Sequence, residues 1–240
     1  MKRRRLAALV AIVAAGLGVA VLALVPLRLP LERLDVPAAL AATDASGTVW
    51  SGTLHRVHWN GRPLGDIDVA LQPLALLGGV QRVRLDGAGA SLVLLHGRQR
   101  GFDDAHGSLA IQRVAGLGGL DVRLDLDDAA IVFDATGCRA AGGGVRLALS
   151  LPAAPTPLLE LAGTPACVGG IARVMLAPAA GTDAAPDVDA SLEVGADGSW
   201  RLHALVRGAD PSTRLALQAA GFQEGPGGLS RAENGRFRGL

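Results

Sequence analysis

Residues 6–25 form an uninterrupted apolar run, composed only of Leu, Ala, Val, Ile and Gly. As a helix that rises about 1.5 Å per residue, this run spans roughly 30 Å, the thickness of a bilayer's hydrocarbon core. A helix also satisfies its own backbone hydrogen bonds in lipid. The run therefore predicts a single membrane-spanning helix.

The charges before the run predict its orientation. Four basic residues precede it directly: Lys2, Arg3, Arg4 and Arg5. The positive-inside rule places this tail in the cytoplasm and the rest of the chain across the membrane. A cleaved signal peptide is the alternative, but its apolar region is usually about 7 to 15 residues long and ends in a small-x-small site. Gly18-x-Ala20 and Val21-x-Ala23 fit such a site poorly, so we expect an uncleaved anchor.

Composition divides the rest of the chain into segments. Residues 1–5 are predicted to be a cytoplasmic tail and 6–25 the anchor. Pro26 and Pro30 cannot continue a regular helix, so 26–45 is predicted to be a linker. A β domain follows over 46–220, with the Ala- and Pro-rich stretch 177–186 as a candidate seam between two lobes. The glycine-rich residues 221–240 are expected to be a flexible tail.

Alternation of apolar and polar residues is the dominant pattern after residue 46. It is clearest in 187–207, where two alternating runs flank Ala196-Asp197-Gly198, as in a hairpin with one buried face. Spacings of about 8 to 15 residues predict an antiparallel meander, either a sandwich or a long curved sheet. The other predicted strands are 48–60 with a bulge at Gly52, 66–71, 80–86, 90–95, 108–113, 121–126, 129–134, 145–151, 158–162, 171–176 and 213–219. The fold class is therefore mainly β, with one N-terminal transmembrane helix.

The two cysteines, Cys138 and Cys167, both fall on the predicted exported side of the membrane. A bacterial periplasm favours disulfides, so a bridge between them is the expected arrangement. Free buried thiols and a zinc site are the alternatives, but two cysteines without a paired His motif make a poor zinc site.

Charge and motifs exclude several functions. The chain's net charge is +1, and setting aside the four basic residues of the tail leaves −3, so there is no basic patch for nucleic acid. His55 and His58 are three apart in a strand, so their side chains point to opposite faces and do not converge on a metal. Asp121, Asp125, Asp127 and Asp128 could suggest calcium, but no calcium-loop pattern with its terminal Glu follows, and a solvated strand face explains the first three. No phosphate loop or nucleophile elbow is present, so we expect neither an enzyme nor a cofactor.

Two short segments resemble a known family. Gly47-Thr48-Val49-Trp50-Ser51-Gly52 follows the anchor and the proline-containing linker. This arrangement resembles protein N of the bacterial type II secretion system, which typically has a Gly-Thr-x-Trp-x-Gly segment at this position. Residues 163–167, Gly-Thr-Pro-Ala-Cys, resemble the family's Gly-x-Pro-x-Cys segment. From the residues alone, Gly47, Thr48, Trp50 and Gly52 form a packing motif, because the glycines permit turns and Trp50 is a large anchor.

The resemblance implies a non-enzymatic accessory subunit of a machine that exports folded proteins across the outer membrane. Its implied partners are the outer-membrane secretin and the inner-membrane platform subunits. Our own hypothesis for the docking mode is that exposed strand edges or loops bind a partner by strand addition. A curved sheet behind an anchor is also similar to the AsmA-like envelope proteins, whose half-barrel is implicated in lipid handling. An exposed apolar trough would favour that lipid-binding alternative, and a filled or polar face would favour a scaffold.

Overall fold

The computed structural model describes residues 24–27, 40–59, 62–114, 117, 119–152, 154, 156–179 and 186–236. Nearly all of the predicted anchor lies outside these ranges, as do Lys2, Arg3, Arg4 and Arg5. Across the described ranges, no helix is long and apolar enough to cross a membrane. The membrane anchor and its orientation therefore stay predictions.

The described residues form fifteen strands and two short helices. The helices are α1 (Pro73–Leu76) and α2 (Pro211–Ala219). The strands are β1 (Leu40–Ala41), β2 (Asp44–Thr48), β3 (Ser51–Trp59), β4 (Arg62–Leu71), β5 (Val80–Gly87), β6 (Ala90–Gly97), β7 (Arg100–Val114), β8 (Leu120–Asp134), β9 (Gly137–Ser150), β10 (Leu159–Val168), β11 (Ile171–Pro178), β12 (Asp187–Val194), β13 (Ser199–Arg207), β14 (Gln223–Gly225) and β15 (Gly228–Arg236).

All fifteen strands belong to one curved, open antiparallel sheet, as the predicted meander requires. Each strand from β3 to β13 pairs with its neighbour in sequence, β1 and β2 both pair with β3, and β15 lies between β13 and β14. The sandwich is excluded, because the described strands form a single sheet. The predicted seam near 177–186 does not interrupt it, since β11 and β12 pair from Ala172 with Val194 to Leu176 with Ala190.

Three bulges bend the strands. Arg56, Asp104 and Asp128 have positive φ angles of 49°, 53° and 51°, and each lies at a register shift. The next residue in each case, Val57, Ala105 or Ala129, is completely buried. A bulge inserts one unpaired residue and increases the local twist and bend. These bulges therefore re-aim a small or branched apolar side chain into the core and contribute to the curvature.

One face of the sheet is apolar along its length. Paired residues share a face, so Gly52, Val69, Leu85 and Leu92 form one row of it. At the other end, α2 lies over this apolar face and buries Leu217 completely. The cluster around Leu217 is the largest in the described chain and contains Leu149, Leu159, Leu161, Val188, Ala190, Ala204, Val206 and Leu229.

Helix α2 replaces the strand predicted at 213–219. Thr213, Leu215 and Leu217 alternate with Arg214, Ala216 and Gln218, but Asp210-Pro211 is a helix start. The Asp210 carboxylate accepts hydrogen bonds from the backbone N–H of Ser212 at 2.9 Å and of Thr213 at 3.1 Å. Pro211 occupies the first turn, where a missing N–H costs nothing. The segment therefore follows the helix-capping signal of Asp210 and Pro211, and the strand predicted from alternation is wrong.

Three strand predictions need correction. The predicted strands 121–126 and 129–134 are one strand, β8, because Asp128 is a bulge residue and not a break. The predicted strand 48–60 is divided by a turn, and its bulge is at Arg56 instead of Gly52. The flexible tail expected over 221–240 is wrong through residue 236, because Pro226 and Gly227 make a tight turn between β14 and β15, and Leu229 is buried.

Candidate functional site

Residues 47–52, the first family-like segment, form the turn between β2 and β3 at one edge of the sheet. The chain that leaves the apolar run lies directly against this turn. The N–H of Leu27 donates to the Gly47 carbonyl at 3.1 Å, and the N–H of Val49 donates to the Val25 carbonyl at 3.0 Å. Pro26 pairs with Thr48 between them. The segment therefore makes a junction between the end of the apolar run and the sheet.

Both glycines of the junction are required by close backbone contacts. A Cβ on Gly52 would lie 2.6 Å from the Ser46 carbonyl oxygen and 2.8 Å from Leu27 Cδ2. Gly47 has a φ of +83°, and a Cβ there would lie 2.6 Å from the Ser51 carbonyl oxygen. Any larger residue at position 52 would push the exit segment away from the hairpin.

The turn is also joined to the next part of the sheet. The N–H of Leu71, at the end of β4, donates to the Val49 carbonyl at 3.0 Å. Thr48 Oγ1 accepts from the Ser51 N–H at 3.3 Å, which closes the turn, and Trp50 is half-buried beside it. Val49 thus bridges the exit segment and β4 through its two backbone groups.

The second family-like segment, 163–167, lies in β10, where one ladder ends. The N–H of Ala179 donates to the Glu160 carbonyl at 2.9 Å, so the backbone groups of Glu160 point toward β11. Backbone groups alternate in direction along a strand, and odd-numbered residues of β10 therefore direct theirs toward β9. Pro165 is such a residue and has no N–H. Pairing between β9 and β10 accordingly stops at Gly163, two residues before Pro165. Gly163 allows a close approach, since a Cβ there would overlap the Met175 carbonyl oxygen.

The disulfide joins β9 and β10 beyond that point. Cys138 and Cys167 are bonded, with their Cα atoms 5.5 Å apart. The N–H of Cys138 also donates to the Gly170 carbonyl at 2.7 Å, in the turn between β10 and β11. Pro165 therefore ends the hydrogen-bonded pairing of β9 and β10, and Cys167, two residues later, joins the two strands covalently. This gives the Gly-x-Pro-x-Cys segment a structural explanation.

The histidines of β3 are used in hydrogen bonds. Ser46 Oγ lies 2.8 Å from His55 Nε2, and Asp66 Oδ2 lies 3.2 Å from His55 Nδ1. The Arg56 N–H donates to the other Asp66 oxygen at 2.8 Å, and this bond, followed by that of His55, lowers the pKa of Asp66. His58 Nδ1 bonds to the Arg56 carbonyl at 2.7 Å. Both histidines thus take part in hydrogen bonds that hold the bulge at Arg56.

A group of possible metal ligands that the sequence analysis missed lies at the other two bulges. Asp104, His106 and Asp128 bring their ligand atoms within 4.8 Å of one another. His106 Nδ1 accepts the Asp128 N–H at 3.1 Å, so its proton lies on Nε2, which donates to Asp104 Oδ1 at 3.0 Å. Arg84 lies 3.0 Å from the other Asp104 oxygen. Both ring nitrogens of His106 are used in these hydrogen bonds, so the ring has no free lone pair for a metal. The group, which we call the clasp, joins the bulge at Asp104 to the bulge at Asp128.

The remaining carboxylates predicted for a strand face lie along β8. Asp127 and Asp128 are exposed, and Asp121 and Asp125 are half-buried. Of these four carboxylates, Asp128 is the one that belongs to a group of possible metal ligands among the described residues. A shallow depression of about 230 Å³ lies nearby, lined by Asp86, Ser91 and His106 among others.

Among the described residues, the edge of the sheet opposite the junction is open along β15 beyond Ser230. The N–H of Gly195 donates to the Ser199 carbonyl at 2.8 Å, so odd-numbered residues of β13 direct their backbone groups toward β12 and even-numbered ones toward β15. Even-numbered residues of β13 pair with odd-numbered residues of β15. The backbone groups of even-numbered residues of β15 therefore point away from β13. Within the described chain, β14 pairs with β15 only as far as Ser230. Beyond it, the backbone groups of Ala232, Asn234 and Arg236 face outward.

Comparison with known proteins decides the family. The family model described as type II secretion system (T2SS), protein N matches residues 38–231, most of the chain. The chain belongs to this family. No curated protein and no solved structure matches it. The family resemblance found in the sequence is therefore confirmed.

Family membership makes the chain a component of the type II secretion system in general terms. The match covers both the 47–52 turn and the 163–167 segment. It begins after Leu27, so the exit segment that packs on the turn precedes the matched region. That Gly47, Thr48, Trp50 and Gly52 are the family's structural motif stays a prediction.

Proposed function

We propose that this protein is a non-enzymatic accessory subunit of the type II secretion machine, held in the inner membrane by residues 6–25 with its sheet in the periplasm. The family match over residues 38–231 is the observation that carries this proposal. The junction at 47–52 supports the topology, because it attaches the end of the apolar run to the sheet by hydrogen bonds. A rigid attachment would hold the sheet at a set position relative to the membrane.

The docking surface in this proposal is the outer edge of β15. Free N–H and C=O groups on an edge strand can pair with an extended segment of another chain. The opposite edge is occupied at Gly47 and Val49 by the exit segment, which includes Pro26. The outer edge of β15 is therefore the edge at which the secretin or a platform subunit would bind.

A proline at Asn234 tests this docking mode. It removes one outward N–H but no hydrogen bond to β13, so the sheet stays intact. We expect Asn234→Pro to lower the export of folded proteins, while the matched control Asn234→Ala, which keeps the N–H, exports normally. Membrane levels of both variants are compared by immunoblotting. Normal export by Asn234→Pro would rule out strand addition at this edge.

A deletion tests the broader proposal. Cells that lack the chain are expected to accumulate cargo in the periplasm, and the wild-type chain supplied in trans is expected to restore export. Unchanged export in the deletion strain would contradict a role in secretion, whatever the docking mode.

A further inference from the structure

The two most exposed large apolar side chains of the described residues lie together at the tip formed by α1: Leu77 is 88% exposed and Leu74 80%. Leu76, between them in sequence, is 38% exposed. The tip spans residues 72–79 between β4 and β5. Exposed apolar clusters of this kind mark contacts with membranes or partners, whereas single exposed leucines are ordinary.

The tip is close to the place where the apolar run ends. The Leu71 N–H bonds to the Val49 carbonyl, and the Val49 N–H bonds to the Val25 carbonyl, each at 3.0 Å. Two such steps across hydrogen-bonded strands separate Leu71 from Val25 by about 10 Å. Leu24, also beside the junction, is 72% exposed. A helix that ends at Val25 would therefore bring the bilayer surface to the level of α1.

The charge around the tip fits an anionic surface. Residues 69–85 and 87–102 contain no Asp or Glu. The neighbouring turn carries Arg98, and Arg100 begins β7 directly after it. The Arg98 N–H donates to the Gly79 carbonyl at 3.2 Å, so this turn lies directly beside the tip. Arg98 is exposed, and among the described residues no ion pair involves it. Leucines flanked by arginines match the composition of segments that lie in a lipid headgroup region.

We infer that Leu74, Leu76 and Leu77 insert into the periplasmic leaflet of the membrane that holds the anchor, with Arg98 at anionic phospholipid headgroups. This inference rests on the proposed anchor. It gives the sheet a second attachment beside the first, so the tip and the anchor together restrict how the sheet tilts on the membrane. The free β15 edge then has a defined orientation toward its partner.

Depth-dependent fluorescence quenching tests the inference on the full chain. Leu77→Cys and, separately, Leu74→Cys are labelled with an environment-sensitive dye while Cys138 and Cys167 stay oxidised. Leu215→Cys, on the exposed side of α2 and 68% exposed, is the matched control at the other end of the sheet. Each protein is reconstituted into phosphatidylethanolamine and phosphatidylglycerol vesicles with or without nitroxide-labelled lipid, and integration is checked by carbonate extraction and flotation.

We expect lipid quenching and a blue shift at positions 77 and 74 but not at 215. Replacing the phosphatidylglycerol by phosphatidylcholine is expected to weaken the quenching, and Arg98→Gln is expected to reduce that lipid dependence. An integrated protein with no more quenching at 77 and 74 than at 215 would overturn the tip contact and leave the anchor standing. Carbonate extraction of the whole protein would instead overturn the anchor, and with it the tip contact.

Discussion

Gly52→Ala is the substitution that most directly tests how the exit segment is held. The added Cβ would lie 2.6 Å from the Ser46 carbonyl oxygen, 2.9 Å from the Thr48 carbonyl oxygen and 2.8 Å from Leu27 Cδ2. Two of these three atoms are backbone, and Leu27 is only 6% exposed, so no flexible side-chain end can simply move aside. The hairpin or the exit segment must shift.

Overpacking of this kind costs about 1–3 kcal/mol, which raises the local opening constant about 5- to 150-fold. The cost falls on the weaker attachment, which is the pairing of Val25 and Leu27 with the turn. Amide hydrogen exchange of the full chain in detergent micelles measures it, because the Leu27 and Val49 N–H groups are donors in that pairing. Both amides are expected to exchange faster by this factor.

Gly142→Ala is the matched control. A Cβ on Gly142 meets no atom within 4 Å, and its φ is outside the left-handed region. This substitution is expected to leave exchange at Leu27 and Val49 unchanged, and the loss of unfolded-state freedom would add about 0.4–1 kcal/mol of stability. Equal exchange in the two variants would refute the steric account of the junction.

Three further predictions concern the rest of the fold. Leu217→Ala is expected to lower the free energy of unfolding by about 3–5 kcal/mol, because Leu217 is completely buried, while Leu215→Ala on the same helix changes it by no more than about 0.5 kcal/mol; denaturant titration distinguishes them. Replacing Cys138 and Cys167 by Ser is expected to cost about 3.5 kcal/mol in the same assay, since a loop closed across 29 positions is released. Hydrogen bonds from Ser212 and then Thr213 lower the pKa of Asp210, so its contribution is complete above its unfolded pKa of about 3.9 and is lost as the pH falls toward the lower folded value. Thermal unfolding across that acidic range should show a smaller decline for Asp210→Asn than for the wild type, and equal declines would contradict this role.

Much of the sheet was predictable because alternation reports a half-buried strand directly. The hairpin of β12 and β13 is the clearest case, since Val188, Ala190 and Val194 are buried as their pattern indicates. The disulfide was predictable from compartment and parity. The division of 121–134 into two strands was wrong. In the sequence, Asp127 and Asp128 look like a turn, but they belong to a bulge within one strand. The register with the neighbouring strand decides this, and the sequence does not show it.

The junction was only partly predictable. Gly47 and Gly52 indicated a turn, but the sequence did not show that Val25 and Leu27 would pair with it, because that contact joins segments twenty residues apart. The clasp of Asp104, His106 and Asp128 was missed because it depends on two bulges whose register only the sheet defines. Helix α2 was missed although Asp210 and Pro211 carried a readable capping signal, and the weight given to alternation was the reason.

Crosslinking in living cells tests most directly whether the protein works inside the secretion machine. The tagged, membrane-anchored chain is crosslinked in cells that are actively exporting, purified in detergent, and analysed by mass spectrometry for protein and lipid. We predict that secretin or platform subunits are crosslinked to the chain and that Asn234→Pro loses them while Asn234→Ala keeps them. Recovery of phospholipid or lipopolysaccharide with no secretion subunit would contradict the scaffold role and favour lipid handling by the apolar face of the sheet.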